Sequence, residues 1–255
     1  MDLKFNEARR ALLNLSLTVK GLEYFLLVVQ MITVVVPLYN GIEFLDECLS
    51  SVKAQVYPDW ICIVGVNGHG PDGGLVMKEA VEIVNKLQDT RFKVVNLPDV
   101  KGAPDAINAL VAMATTPWIA HLDADDKWHP MKLHCQSATV RDIDADIFGT
   151  FTQYFGEFSE GGPPTVGGYV PEDMFHIMNP MTHSSILIRK ELAHYTNEFV
   201  TYDYDCWLRN LVAGKKFYNV PLQLLYHRIH SSSHFNASGG GQRPELVRKK
   251  YFGHQ

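Results

Sequence analysis

The chain has 255 residues, 46% hydrophobic and 20% charged, an ordinary balance that can fill one sizeable α/β core. Its 23 basic and 28 acidic residues leave a formal charge of −5, which argues against a nucleic-acid backbone as the main partner, although Arg243, Arg248, Lys249 and Lys250 form a local basic patch. The four cysteines are widely spaced without a C-x-x-C pair and read as buried free thiols in a reducing compartment; the eleven histidines include no recognised zinc spacing.

Residues 1–30 read as a helical appendage to the core, with 7–13 as an amphipathic segment and Met31 as a candidate start directly before the first strand. The apolar stretch 22–38 is interrupted by Glu23, Gln30 and Thr33 and is too short to span a bilayer comfortably. No secretory cleavage pattern follows a charged start. From Ile32 the pattern alternates. Ile32-Thr33-Val34-Val35-Val36 is a strand ended by Pro37, and 42–55 is a helix with Phe44, Leu45, Cys48, Leu49 and Val52 as its apolar stripe. A strand at 60–66, a helix at 75–87, a strand at 92–97, a helix at 106–114 and a strand at 118–122 follow. Near-continuous apolar strands between amphipathic helices predict an α/β fold with a mostly parallel, Rossmann-like sheet covered on both faces. Right-handed crossovers then place the strand ends, and the ligand site, along one edge. The second half is less regular, with strands at 146–151, 184–188, 217–220 and 224–229, a helix at 203–212 and a Gly/Pro-rich loop at 157–168. The expected organisation is a single domain over 31–233, followed by a mobile tail over 234–255.

His121-Leu122-Asp123-Ala124-Asp125-Asp126 is the stretch richest in chemistry. In extended backbone Asp123 and Asp125 share a face, where two anions repel unless a cation lies between them. Mg²⁺ commonly uses one or two carboxylates with substrate phosphates, so the stretch suggests a metal–diphosphate site at a strand end. A solvated acidic turn capping the next helix accounts for the same residues. Gly68-His69-Gly70-Pro71-Asp72-Gly73 fits G-x-G-x-x-G between a strand and a helix, with Asp99 as a ribose-binding acid, and offers a nicotinamide-dependent oxidoreductase as a rival. Pro71 inside the turn, and a position after the second strand, weaken that rival.

Several segments together resemble the family-2 glycosyltransferases of the GT-A fold. Val34-Val35-Val36-Pro37-Leu38-Tyr39-Asn40 is similar to the opening strand and P-x-Y-N turn of that family, and Cys48-Leu49-Ser50-Ser51-Val52-Lys53-Ala54-Gln55 to its first helix. Leu122-Asp123-Ala124-Asp125-Asp126 resembles its D-x-D site, with Pro130 where a proline often follows. Asp203-Tyr204-Asp205-Cys206-Trp207-Leu208-Arg209 resembles its E-D-Y-D-L-W-L-R helix. Lys215-Lys216-Phe217-Tyr218-Asn219-Val220-Pro221 and Leu225-Tyr226-His227-Arg228-Ile229-His230-Ser231 resemble its closing strands. The resemblance covers about residues 31–233.

The resemblance implies an inverting, metal-dependent transfer of a sugar from a UDP-, GDP- or dTDP-sugar to a hydroxyl of a glycan, lipid-linked or protein-linked acceptor, as in polysaccharide biosynthesis. It assigns Pro37, Tyr39, Asn67, Lys101, Asp123, Ala124 and Asp125 to the nucleotide-sugar, with Tyr39 stacking on the base. Asp125, Asp123 and His230 would hold Mn²⁺ or Mg²⁺. Asp203 would be the general base, although an N-cap is the ordinary role of Asp at a helix start. His183 and Trp207 fall on the acceptor side, with core packing as the competing role of both. The acceptor wall is expected from residues 153–183 and the tail. Expected surroundings are the cytoplasm, with peripheral membrane contact, no nucleic acid, and a second copy of the chain as partner. The chain departs from the family at Val66-Asn67-Gly68-His69, where acidic residues are usual, which bears on selectivity for the base. Lys101 stands in for a missing basic residue near 102–108, and Tyr202 replaces an acid before Asp203. Val66 and Asn67 also motivate a second reading, a non-catalytic nucleotide-sugar or glycan-binding module on the same scaffold.

Overall fold

The computed structural model describes residues 31–231 and 243–253; the expected appendage at 1–30 lies outside them. β1 (Ile32–Leu38) leads through a 3₁₀ turn (Ile42–Phe44) into α1 (Leu45–Lys53). Then follow β2 (Trp60–Asn67), α2 (Gly74–Leu87), β3 (Phe92–Leu97), α3 (Ala103–Met113) and β4 (Trp118–His121). The four strands run parallel in the order β3-β2-β1-β4. The apolar runs have no polar alternation because both faces of the strands are covered. Val34, Val36 and Val64 pack into one core with Leu45, Cys48, Leu49 and Val52 of α1. Val35, Ile63 and Ile119 point the other way, against Ile107, Leu110 and Val111 of α3.

The second half continues with β5 (Lys127–Trp128), α4 (Lys132–Asp142), β6 (Ile147–Gly156), β7 (Gly168–Tyr169), α5 (Glu172–Ile177), β8 (Leu187–Arg189), α6 (Tyr202–Val212), β9 (Phe217–Ile229) and α7 (Pro244–Phe252). It extends the sheet beyond β4 in the order β8-β6-β9-β5, with β8 antiparallel to β4 and β6 parallel to β9. The stretch read as a strand over 184–188 is a 3₁₀ turn at His183–Ser185 followed by β8. The two strands read at 217–220 and 224–229 are one. The register against β6 shifts between Thr150 and Thr152, which absorbs the extra residues around Pro221, a residue with no N–H for the ladder. The tail expected to be mobile contains α7, whose Val247 is fully buried in the second core. Cys48, Cys62 and Cys206 are buried free thiols and Cys135 is half-buried. Among the described residues no helix is long and apolar enough to cross a membrane.

From β1 the chain winds through β2 to β3 on one side and places β4 on the other. The strand order therefore reverses between β1 and β4, where the carboxyl ends of an open α/β sheet leave a crevice.

Candidate functional site

The acidic run sits at that crevice, but not in the geometry expected for it. β4 stops at His121, and Asp126 N–H donates to the carbonyl of Asp123 at 3.1 Å, closing a turn. The alternation of an extended strand does not apply here, and the three carboxylates part company. Asp126 is fully buried. It accepts from the backbone N–H of Arg228 at 2.8 Å and faces Nδ1 of His227 at 3.1 Å, tying the turn to β9. Asp125 keeps a quarter-exposed side chain, with Oδ2 3.0 Å from Nε2 of His230. Asp123 is held by Ser184, whose hydroxyl accepts from Asp123 N–H and donates to Oδ2, both at 3.0 Å. Nδ1 of His183 lies 3.4 Å from the other carboxyl oxygen of Asp123.

These partners split the titration of the acids. Burial pushes Asp123 up, but His183 and Ser184 more than offset it and hold the carboxyl near 2. Burial and the adjacent charges of Asp126 and Asp123 push Asp125 up to about 6. Burial pulls His227 down, but Asp126 outweighs it and sets the imidazole at about 9. The turn thus carries more negative charge than its own partners neutralise at Asp125. Among the described residues no group of three His, Cys, Asp or Glu is arranged to hold an ion unaided. Of the three residues expected to hold an ion, Asp125 and His230 meet at 3.0 Å, with Asp123 two residues away in the same turn.

The opposite rim comes from the ends of β1, β2 and β3. Tyr39, just beyond β1, is 56% exposed, so core packing does not account for it. Its ring lies 5.1 Å from that of His69, whose Nε2 sits 2.6 Å from the carbonyl of Tyr39. Gly68 makes this pairing possible: its φ is +77°, and a Cβ there would come within 3.2 Å of the Tyr39 ring. Asn67 closes β2 and is buried, Lys101 is exposed before α3, Pro37 pairs with Gly65 within β1, and Ala124 is buried in the acid turn. The Gly68–Gly73 loop follows β2, which is not at the reversal of strand order, and it serves as the β2–α2 connector.

The third wall is the start of α6. The residue before it, Thr201, makes no side-chain cap bond. Asp203, the second helical residue, is half-buried and accepts from Nδ2 of Asn179 at 2.8 Å. Burial raises its pKa, against the lowering effect of His183. Asp205 faces elsewhere. It is fully buried and takes Thr196, Arg209, Lys250 and Tyr251 at 2.8–3.2 Å, which pins α7 to α6. Trp207 does not face the acceptor side as expected: it is fully buried, its ring centroid 6.5 Å from that of His183. The helical period turns position 207 toward the core. His183 is itself buried, stacked 4.7 Å from His121, whose Nε2 lies 2.9 Å from the Tyr195 hydroxyl. His183 therefore stands between the acid turn and the start of α6: besides its approach to Asp123, its ring centroid lies 5.5 Å from that of Tyr202, the first residue of the helix.

Sequence reasoning missed Ser184, Asp126, His227 and Asn179. The signals available were a Ser184-Ser185 doublet before a buried strand and a His227-Arg228 pair inside one, neither of which names a partner far away along the chain. The exact separations are 61 residues for Ser184–Asp123 and 101 for His227–Asp126.

Comparison with known proteins agrees with this architecture. The chain is 24% identical over 214 residues to the Escherichia coli protein WfaP, named as a UDP-Glc:alpha-D-GlcNAc-diphosphoundecaprenol beta-1,3-glucosyltransferase, covering 80% of this chain and 79% of that one. The fold matches S. aureus TarS in complex with UDP-GlcNAc, with a TM-score of 0.66 at 15% identity over 81% of this chain. It also matches the mannosyltransferase PcManGT of Pyrobaculum calidifontis in complex with GDP-Man and Mn²⁺, with a TM-score of 0.61 at 13% identity over 86% of this chain. The chain spans 61% of each of those two structures. Both likenesses are of GT-A type and agree with the mostly parallel sheet flanked by helices. The family model described as "Glycosyl transferase family 2" matches residues 33–205, from the first strand to the fourth residue of α6 and more than half of the chain. The chain therefore belongs to glycosyl transferase family 2 and is a nucleotide-sugar-dependent glycosyltransferase.

Proposed function

We propose that this chain transfers a sugar from a nucleotide-sugar to a hydroxyl of a glycan or lipid-linked acceptor, inverting the anomeric carbon and using a divalent cation, Mn²⁺ or Mg²⁺. The observation that carries the reading is the position of His183: its Nδ1 lies 3.4 Å from Asp123 of the acid turn, and its ring packs 5.5 Å from that of Tyr202, which precedes Asp203 at the start of α6. One acid faces the donor and the other the acceptor. Asp125 and His230, with Asp123 beside them, would hold the cation. When bound, it neutralises the charge that develops on a departing diphosphate. Asp203 takes the proton of the acceptor hydroxyl. The hydroxyl oxygen attacks the anomeric carbon opposite the diphosphate, and the bond to the diphosphate breaks with its electron pair leaving on the nucleotide. Tyr39, exposed at the end of β1, stacks on the base. A UDP-sugar donor and a polyprenyl-diphosphate acceptor are supported by the name of WfaP. Such an acceptor would bring the chain to a membrane surface, the peripheral contact expected from the sequence.

The test compares two variants by nucleotide-sugar binding and by turnover. Asp125→Asn is expected to lose Mn²⁺-dependent donor binding. Asp203→Asn is expected to bind donor normally and to transfer roughly 10²–10⁴-fold more slowly, the usual worth of a general base. Near-normal transfer by Asp203→Asn would remove it from that role.

A further inference from the structure

We infer that the inner face of the β6–β9 ribbon is the subsite for a pyranose ring of the acceptor, with Tyr154 as its stacking platform and Phe158 at the outer edge. This deepens the transferase reading above and rests on it. β6 and β9 pair through Thr152–Leu225 and Tyr154–His227, so these four residues share one face of the ribbon. Both ends of that face are sewn to the site. His227 lies 3.1 Å from Asp126 of the acid turn, and the Thr152 hydroxyl donates to that of Thr182 at 3.1 Å, next to His183. The Tyr154 ring, 5.9 Å from that of His227, thus lies one residue removed from Asp126 of the acid turn.

The backbone brings a second ring to the same place. At Gly156 φ is +99°, and a Cβ there would meet the carbonyl of Ile229 at 2.7 Å, so only glycine turns the chain out of β6 here. Glu157 N–H then bonds that carbonyl at 2.9 Å, and Phe158 arrives 6.3 Å from Tyr154, half-exposed. Two partly exposed rings beside the imidazole of His227 match the two-sided chemistry of a pyranose. Its C–H face covers an aromatic ring, and its hydroxyls bond at the edge. The diphosphate is a poorer occupant, since the face offers no cation besides His227, which Asp126 already takes. The base has Tyr39 on the other rim.

The experiment is saturation-transfer NMR on the full chain with UDP and Mn²⁺, using the methyl α- and β-pyranosides of glucose, galactose and N-acetylglucosamine as probes. Saturation of ring C–H protons is expected for at least one pyranoside. It should fall roughly tenfold in Tyr154→Ala and in Phe158→Ala, the loss of one stacked ring, and be kept in Tyr154→Phe. A UDP titration and a melting curve on each variant report folding, and the exposure of Phe158 makes its truncation safe for the core. Absence of pyranoside saturation in wild-type protein that binds UDP overturns the inference, and so does undiminished saturation in both alanine variants. Failure of the wild-type chain to bind any of UDP, GDP or dTDP overturns the transferase reading itself.

Discussion

Ser184 carries two of the contacts that orient Asp123, one to its backbone and one to its carboxylate. Ser184→Ala should therefore leave the fold intact but loosen that acid. Loss of a hydrogen bond to a charged group is worth about 1.5–3 kcal/mol, so UDP binding in Mn²⁺ should weaken by about tenfold or more in a calorimetric titration. Asp203 sets a pH dependence. Burial raises its pKa, and the base role proposed for it requires the ionised form, so the acid limb of kcat should lie above the ordinary carboxylate value of about 3.9 and vanish in Asp203→Asn. His227 gives the opposite sign. Its folded value of about 9 exceeds the free value, so its ion pair with Asp126 stabilises fully below about 6.5 and is lost as pH rises through 9. The melting-temperature gap between the wild type and His227→Gln should be widest near pH 6 and closed near pH 10. Asp123, Asp125, Asp203 and His230 were legible as candidates because each stands in a short motif. Ser184 and Asp126 were not, because what they do depends on partners far along the chain.

The parallel strands were legible because burial on both faces leaves unbroken apolar runs, and α1 because its stripe Leu45, Cys48, Leu49 and Val52 keeps the helical period. α4 was not, since its buried face includes Lys132, Gln136 and Ser137 beside Leu133 and shows no apolar stripe. Gln136 donates to the carbonyls of Phe148 and Ser185 and accepts from Lys132, so a polar network replaces the expected apolar seam. α7 escaped for a related reason: Val247 is its one fully buried residue, and Lys250 and Tyr251 anchor it on the buried Asp205. Asp205→Ala strips two cations and a phenol of their shared acceptor. It should cost about 3–5 kcal/mol by urea unfolding, as removal of one partner of a buried ion pair does. In β6, a Cβ at Gly149 would lie 2.2 Å from Oδ1 of Asn219, so Gly149→Ala should cost a further ~1–3 kcal/mol of overpacking.

At the scale of the whole molecule, ligands of the native state should raise its melting temperature. A nucleotide at about 100-fold its Kd adds about 2.7 kcal/mol, so a thermal-shift screen of UDP-, GDP-, dTDP- and CMP-sugars should single out the donor, with a shift that needs Mn²⁺ and is absent in Asp125→Asn. The sequence by itself determined the class of fold, because the alternation of apolar runs and amphipathic stripes is a local property of the chain. It also determined the family, because the short motifs stand in order along the chain. Tertiary structure alone decided which partners each acid meets. The three carboxylates at 123, 125 and 126 are chemically alike in the sequence. They are told apart only by Ser184 and His183, by His230, and by His227 with the Arg228 amide, groups delivered by elements that fold over the end of β4. Burial and charge at short range set their separate surroundings, and both depend on distances through space that spacing along a chain does not encode.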